Sequence, residues 1–406
     1  MTASNAITLN TFFDYCYAKQ LPFAFYRLPG KSAIKVVAQR NTALKKFSAG
    51  EEHIYEQGFL FSPFNETRDV QRLIIRNDIF CDADKLPKTD FAVEQVSIGL
   101  PVYRQALKPQ KKEGFKNYVR KIRRQIRKGT FKKIVAARVV KKRKPQNFSA
   151  TTFFENLCAK YPNAFVSLVY TAEYGLWIGA SPEILLEVNA SGFKTYSLAG
   201  TKANTQWNSN TAWGEKEKEE QEIVTRYITE AFASVTKAPA KITGPETVEA
   251  GNLLHLRTTF LYDSIPHFNW QKIVEHLHPT PAVGGLPRQP SIEYILAHEK
   301  FERGFYSGYL GPVNLDEEIN LFVNLRCMKV LKNKLALFVG CGITADSKPS
   351  REWTETKIKT QTLLGVLNQG KTGLKVSKNI ASLPPNANGE ERGTTDSGNL
   401  QAQGNP

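Results

Sequence analysis

The sequence predicts an α+β fold in one large domain, and three observations carry that expectation. Short runs rich in β-branched and aromatic residues recur between Pro, Gly and Asn punctuation, from the first hundred residues to the 340s. Two long stretches, starting near Gly114 and Thr211, read as helices: apolar spacing marks the first and an acidic opening turn the second. No regular strand-helix-strand alternation sets in, which argues against a doubly wound sheet, and no repeat of solenoid period is present.

Residues 1–110 form the β-rich opening of the fold, with strands at Phe23–Tyr26, Ile34–Val37, Gly58–Phe61 and Arg72–Ile75. Residues 111–369 make up the core. Phe115, Tyr118, Val119, Ile122 and Ile126 fall at helical spacing over Gly114–Lys128, and Gly129 ends that helix as a C-terminal glycine does. A strand over Phe131–Val140 and a helix over Thr151–Ala159 come next. Strands follow at Phe165–Tyr170, Leu176–Ile178, Ile184–Val188 and Lys194–Leu198. After a loop at Thr201–Asn210, a helix runs over about Thr211–Val235. The pattern continues with a strand near Leu253–Leu256, helices near Trp270–Glu275 and Ser291–Phe301, and strands at Gly308–Gly311 and Ile319–Lys329. Leu335, Leu337 and Val339 alternate along a last strand, and a helix begins near Ser350 after the Asp346–Pro349 loop. Residues 370–406 are expected to be a disordered tail, because Ser382–Pro406 is polar, Gly- and Pro-containing and almost devoid of large apolar side chains.

The chain has 406 residues, 41% of them hydrophobic, enough for a substantial core. Its five cysteines form no CxxC pair, and an odd number argues against a disulfide framework, so free thiols in a reducing cytoplasm are expected. The first residues lack a basic segment followed by an apolar one, and no apolar run approaches the ~18 residues of a membrane span. The formal charge of +17 is concentrated between Arg104 and Lys144. Such a patch suits nucleic acid, but no helix-turn-helix, zinc-finger, RRM or KH pattern accompanies it; a positive field equally suits an enzyme acting on a small dianion.

Several side chains are not needed by their own elements. Lys133 alternates with Val135, Ala137 and Val139, so it lies either at a solvated strand end or desolvated beside a site, where it could act as a base. Glu183 precedes the Ile184 strand, as a solvated carboxylate or as a general acid raised by burial. Glu217 and Glu220 stand three apart on one helix, and Glu352 and Glu355 repeat that spacing on another, with Lys359 on the same face. Each set could be solvated helix charge; two such helices together suit a Mg²⁺ site built from carboxylates, waters and ligand oxygens. Arg326, in an otherwise apolar stretch, is a candidate for gripping a carboxylate in two hydrogen bonds. Gly340 and Gly342 permit close backbone approach at the end of their strand.

Read together, these segments resemble the chorismate-utilising enzymes, the family of anthranilate, aminodeoxychorismate, isochorismate and salicylate synthases. The resemblance is carried, in order, by KIVAAR (133–138), ASPEILL (180–186), LAGT (198–201), EKEEQEIV (217–224) with the flanking Lys216, HLRT (255–258), HPTPAVGGLP (278–287), NLRC (324–327) and GCGITADSKPSREWTETKIK (340–359). Within the family the pattern is most similar to isochorismate synthases. Lys133 stands where aminating members have glutamine, Ala199 where adduct-forming members have lysine, and Ala282 where salicylate synthases tend to have threonine.

The resemblance implies two stacked antiparallel sheets surrounded by helices, and Mg²⁺-dependent conversion of chorismate to isochorismate for menaquinone or siderophore synthesis. Lys133 would activate water for attack at C2, and Glu183 would protonate the departing C4 hydroxyl. Glu220 and Glu355, with Glu217 and Glu352 directly or through water, would hold Mg²⁺. Gly200, Thr201, His255, Ala282, Arg326, Gly340 and Lys359 would contact substrate. A cytoplasmic monomer or weak dimer acting on chorismate, without nucleic acid or membrane, is expected. The alternatives are a salicylate synthase, an anthranilate synthase component I and, from another class, a basic nucleic-acid-binding protein without catalysis. Two departures stand out: Pro312 occupies a position where family members often have an aromatic residue, and Lys216–Gln221 reads KEKEEQ where many have KDxxEH.

Overall fold

The periodicities above become two nine-stranded antiparallel sheets in the computed structural model, which describes residues 7–47, 50–52, 55–89, 103–204, 213–250, 253–265 and 268–379. The first sheet runs, edge to edge, through Gly285–Leu286, Lys133–Arg143, Lys334–Ile343, Cys327–Val330, Gly175–Ser181, Phe165–Thr171, Phe23–Arg27, Lys35–Ala38 and Ile79–Asp82. The second runs through Lys241–Ala250, Leu253–Asp263, Gly192–Ala203, Ile184–Asn189, Glu318–Val323, Tyr309–Leu315, Gly58–Ser62, Arg72–Arg76 and Lys45–Phe47. Strands from the first hundred residues thus enter both sheets.

The sheets stack on each other through large aromatic side chains. Phe165 of the first lies parallel to Phe322 of the second with ring centroids 4.0 Å apart, and Phe61 meets Trp177 edge-on. Helices cover the outer faces. Leu9–Ala18 and Ala150–Lys160 bury Phe12, Phe13, Phe154 and Leu157 against the first sheet. Glu215–Ala233 and Trp270–Leu277 bury Val224, Phe232, Ile273 and Leu277 against the second. Lys112–Arg127 and Arg288–His298 cover the far end of the first sheet, where Ile134, Ala136, Cys341 and Ile343 face outward. Ala137 and Val139, on the opposite face of the same strand, point between the sheets.

Several elements differ from expectation. The helix Leu9–Ala18 lies where only strands and turns were expected, although Leu9, Phe12, Phe13 and Cys16 have helical spacing and the Thr8 side chain accepts from Thr11 N–H. The strand Lys241–Ala250 was not foreseen: it is an exposed edge carrying Gly244 and Pro245, held by backbone pairing to Leu253–Asp263 rather than by apolar alternation. The single strand expected over Ile319–Lys329 is two strands belonging to different sheets. The last helix, Pro349–Asn379, continues past the start of the expected tail at 370, and 380–406 lie outside the described residues. The acidic helix begins at Glu215 rather than Thr211, which also lies outside them.

By its contacts the chain divides into Met1–Leu367 and Asn368–Pro406, and the site lies wholly in the first unit. All five cysteines are free thiols. Among the described residues no helix is long and apolar enough to cross a membrane.

Candidate active site

The chain passes from one sheet to the other at several points, and two of these crossings run side by side. One is Pro182–Glu183, between Gly175–Ser181 and Ile184–Asn189; the other is residues 324–326, between Glu318–Val323 and Cys327–Val330. They are tied by hydrogen bonds from Val323 N–H to the Glu183 carbonyl at 3.0 Å and from Ala180 N–H to the Arg326 carbonyl at 3.2 Å. Arg326 therefore is not a strand residue as expected. It sits in the break between strands with φ +48°, a left-handed conformation that a non-glycine residue rarely adopts and that recurs at functional sites.

Beside these crossings is a small cavity of about 50 Å³. Nine of the thirteen sequence-predicted residues line it: Glu183, Gly200, Thr201, Glu220, His255, Ala282, Arg326, Gly340 and Lys359. A larger cleft of about 510 Å³ shares Pro182, Leu198 and Arg326 with it, so Arg326 stands between the two. Lys133 is not a lining residue but lies just beneath, fully buried on the inward face of its strand, with Nζ 3.0 Å from Glu220 Oε1. Gly342 makes that contact possible: a Cβ there would stand 2.1 Å from Glu220 Oε1 and 2.9 Å from Lys133 Cε. Gly340 is similarly required, since its Cβ would stand 2.9 Å from the Tyr306 hydroxyl.

Burial separates the protonation states of the polar groups. Glu183 is pushed up to about 7 because desolvation outweighs the attraction of Lys133, Arg326 and Lys359. Its carboxyl makes no hydrogen bond or ion pair among the described residues. Desolvation also opposes the Glu220 carboxylate, but Lys133 and Lys216 outweigh it and hold that carboxyl down at about 2. His255 is driven down to about 3 by burial and by Arg326 and Lys359. It is therefore neutral at physiological pH, and its tautomer follows from its partners. Nδ1 lies 2.7 Å from the Gly200 carbonyl, which can only accept, so Nδ1 carries the proton. Nε2 is left to accept from Arg326 Nη2 at 3.4 Å.

The four acidic residues expected around a cation are arranged differently. Among the described residues no three His, Cys, Asp or Glu side chains converge as metal ligands. Each of three carboxylates instead faces a lysine: Glu220 faces Lys133, Glu352 faces Lys216 at 2.8 Å, and Glu355 faces Lys359 at 2.7 Å. The physical reason is neutralisation, since a buried carboxylate draws the nearest cation. Glu217 packs near Gly200 and Gly214, pairing with none of these lysines. The donors nevertheless fit a hard divalent ion. Glu352 is 1% exposed with Oε2 lacking any partner, and Gly342 leaves Glu220 its cradle. Glu352 and Lys359 are thus buried inward along their shared helix face, not solvated.

Some contributors were not legible in the sequence. Tyr306 lines the cavity, 2% exposed, and stacks on Phe338. It supplies an aromatic wall, whereas Pro312 lies in the second sheet opposite Phe59, away from the cavity. Arg303 and Glu299 form a buried pair at 2.7 Å; Arg303 donates to the carbonyls of Val283 and Val135 while Glu299 accepts from Ala137 N–H, which fixes two cavity walls. Gln221, at the other departure from the family pattern, anchors its helix by donating to the Ser197 carbonyl and Thr258 Oγ1.

Comparison with known proteins gives these observations a context. A family model described as chorismate binding enzyme matches residues 69–368. The isochorismate synthase EntC of Escherichia coli strain K12 is 29% identical over 241 residues, 58% of this chain and 62% of that protein. The chain thus spans less than two thirds of that curated relative. Among solved structures, the menaquinone-specific isochorismate synthase MenF of Escherichia coli superposes with a TM-score of 0.70 at 20% identity, covering 89% of this chain and 92% of that one. Anthranilate synthase component I of Streptococcus pneumoniae TIGR4 superposes with a TM-score of 0.60 at 16% identity, covering 84% and 89%. These likenesses bear out the two-sheet fold.

Proposed function

The chain belongs to the chorismate-binding enzymes, and on that premise we propose that it converts chorismate to isochorismate by adding water at C2 and releasing the C4 hydroxyl. One observation carries the reading: Glu183, a carboxyl held to about 7 by burial, faces a cavity it shares with Arg326 and Lys359 and has Lys133 beneath it. That arrangement sets an acid that retains its proton near neutrality against a nitrogen base, with two cations for a dianionic substrate.

Arg326 and Lys359 bind substrate carboxylates, and the neutral His255 keeps Arg326 aimed without adding charge. Lys133 takes a proton from water as the oxygen bonds to C2. The ring double bonds shift, the C4–O bond breaks, and Glu183 gives its proton to the leaving hydroxyl, which departs as water. One water enters and one leaves, so substrate and product are isomers. Catalysis then rests on placement of acid, base and charge. Glu220, Glu352 and Glu355 would hold a Mg²⁺ ion, which would supply positive charge for the ring carboxylate.

The support for isochorismate over the family's other products is Lys133 at the base position, Ala282 on the cavity wall, and relatives named isochorismate synthases. The test is incubation with chorismate and Mg²⁺, with and without ammonia, followed by chromatographic separation. Isochorismate as the dominant product in both is expected. Salicylate with pyruvate, or anthranilate, as the main product would overturn the assignment.

A further inference from the structure

Lys216 occupies a position that the acidic residues alone do not explain. It sits in the first turn of Glu215–Ala233, and its Nζ donates to Glu352 Oε1 at 2.8 Å across 136 residues of sequence. Glu352 keeps its second oxygen buried without a partner. Glu220 and Glu355 act on the same ammonium through space, so it lies within the field of three carboxylates. Lys133 and Lys359 are paired in the same way with Glu220 and Glu355, so each carboxylate of the cluster has its own lysine.

We infer that Lys216 is a built-in counter-cation, which neutralises the carboxylate cluster in the metal-free protein and must release Glu352 for a divalent cation to bind. The inference rests on the reading of Glu220, Glu352 and Glu355 as ligands of such an ion. Two physical consequences follow. A buried carboxylate stripped of its partner is strongly destabilising, so Lys216 stabilises the metal-free state. A fixed ammonium a few ångströms from an incoming dication repels it, so the same residue holds cation affinity down. The ion selected would be a hard cation, because every donor is a carboxylate oxygen.

Titration of the full chain with Mn²⁺, followed by calorimetry and by the electron paramagnetic resonance of free Mn²⁺, tests this in wild type, Lys216→Met and Lys216→Arg. Lys216→Met keeps the stem and removes the charge. It is expected to bind Mn²⁺ roughly tenfold or more tightly than wild type. It should also melt lower without the ion and gain more from saturating Mn²⁺, while Lys216→Arg stays near wild type. Equal or weaker Mn²⁺ binding by Lys216→Met overturns the inference, because it would mean that the lysine positions Glu352 and does not compete for it. If Lys216→Met does not fold without the ion, Lys216→Gln, an uncharged amide donor, takes its place, and affinity equal to wild type overturns the inference there. Wild type binding no divalent ion would refute the underlying reading instead, and the inference with it.

Discussion

Replacing Glu183 by glutamine removes a transferable proton while preserving the volume of a side chain that is 4% exposed. Moving this carboxyl from its ordinary 4.5 to about 7 corresponds to about 3 kcal/mol, at ~1.4 kcal/mol per pH unit. Because the folded value is raised, the native state holds the proton between pH 4.5 and about 7 where the unfolded chain has released it. The associated stability is therefore fully present below 4.5 and lost as pH rises through about 7. Glutamine has no such loss. Urea denaturation of both proteins should show little difference at pH 5, and at pH 8 the variant should be the more stable by up to about 3 kcal/mol. Turnover should fall in the opposite sense, by roughly 10²–10⁴-fold, as for loss of a general acid. Wild-type kcat/KM should decline as pH rises through about 7, when the acid ionises. Normal turnover by Glu183→Gln, or the same stability difference at pH 5 and pH 8, would refute the reasoning.

Lys133→Met should lose roughly 10²–10⁴-fold in turnover and, by leaving Glu220 buried and unpaired, about 3–5 kcal/mol of stability. Adding Glu220→Gln should restore most of that stability in urea denaturation but none of the activity; recovered turnover would remove Lys133 as the base. Gly342→Ala places a methyl 2.1 Å from Glu220 Oε1 and must displace that carboxylate. Turnover should drop sharply with circular dichroism unchanged, and an unimpaired variant would show that the close approach is not needed.

Much of the secondary structure was legible because burial imposes a period on the side chains that face it. The stripe Phe115 to Ile126 and the alternation at Leu335 to Val339 are visible for that reason. The exposed edge strand Lys241–Ala250 buries little and therefore left no such trace. The division of Ile319–Lys329 left none either, because apolar strand-like residues stand on both sides of the short 324–326 crossing while the hydrogen-bonding partners change from one sheet to the other.

The site divides in the same way. Its residue types and their order along the chain were present in the sequence and sufficed to indicate the family. Their electrical state was not. Glu183 and Glu220 are both glutamates, yet one is driven up to about 7 and the other down to about 2, because the first is desolvated without a bonded partner and the second lies against Lys133. The sequence by itself determined most of the elements, the family and the roster of acids, bases and cations. Only the tertiary structure decided which lysine meets which carboxylate, that Arg326 sits at a crossing between sheets, and that Tyr306 walls the cavity. Those outcomes depend on charge and desolvation acting through space between segments far apart in the chain, which local periodicity does not encode.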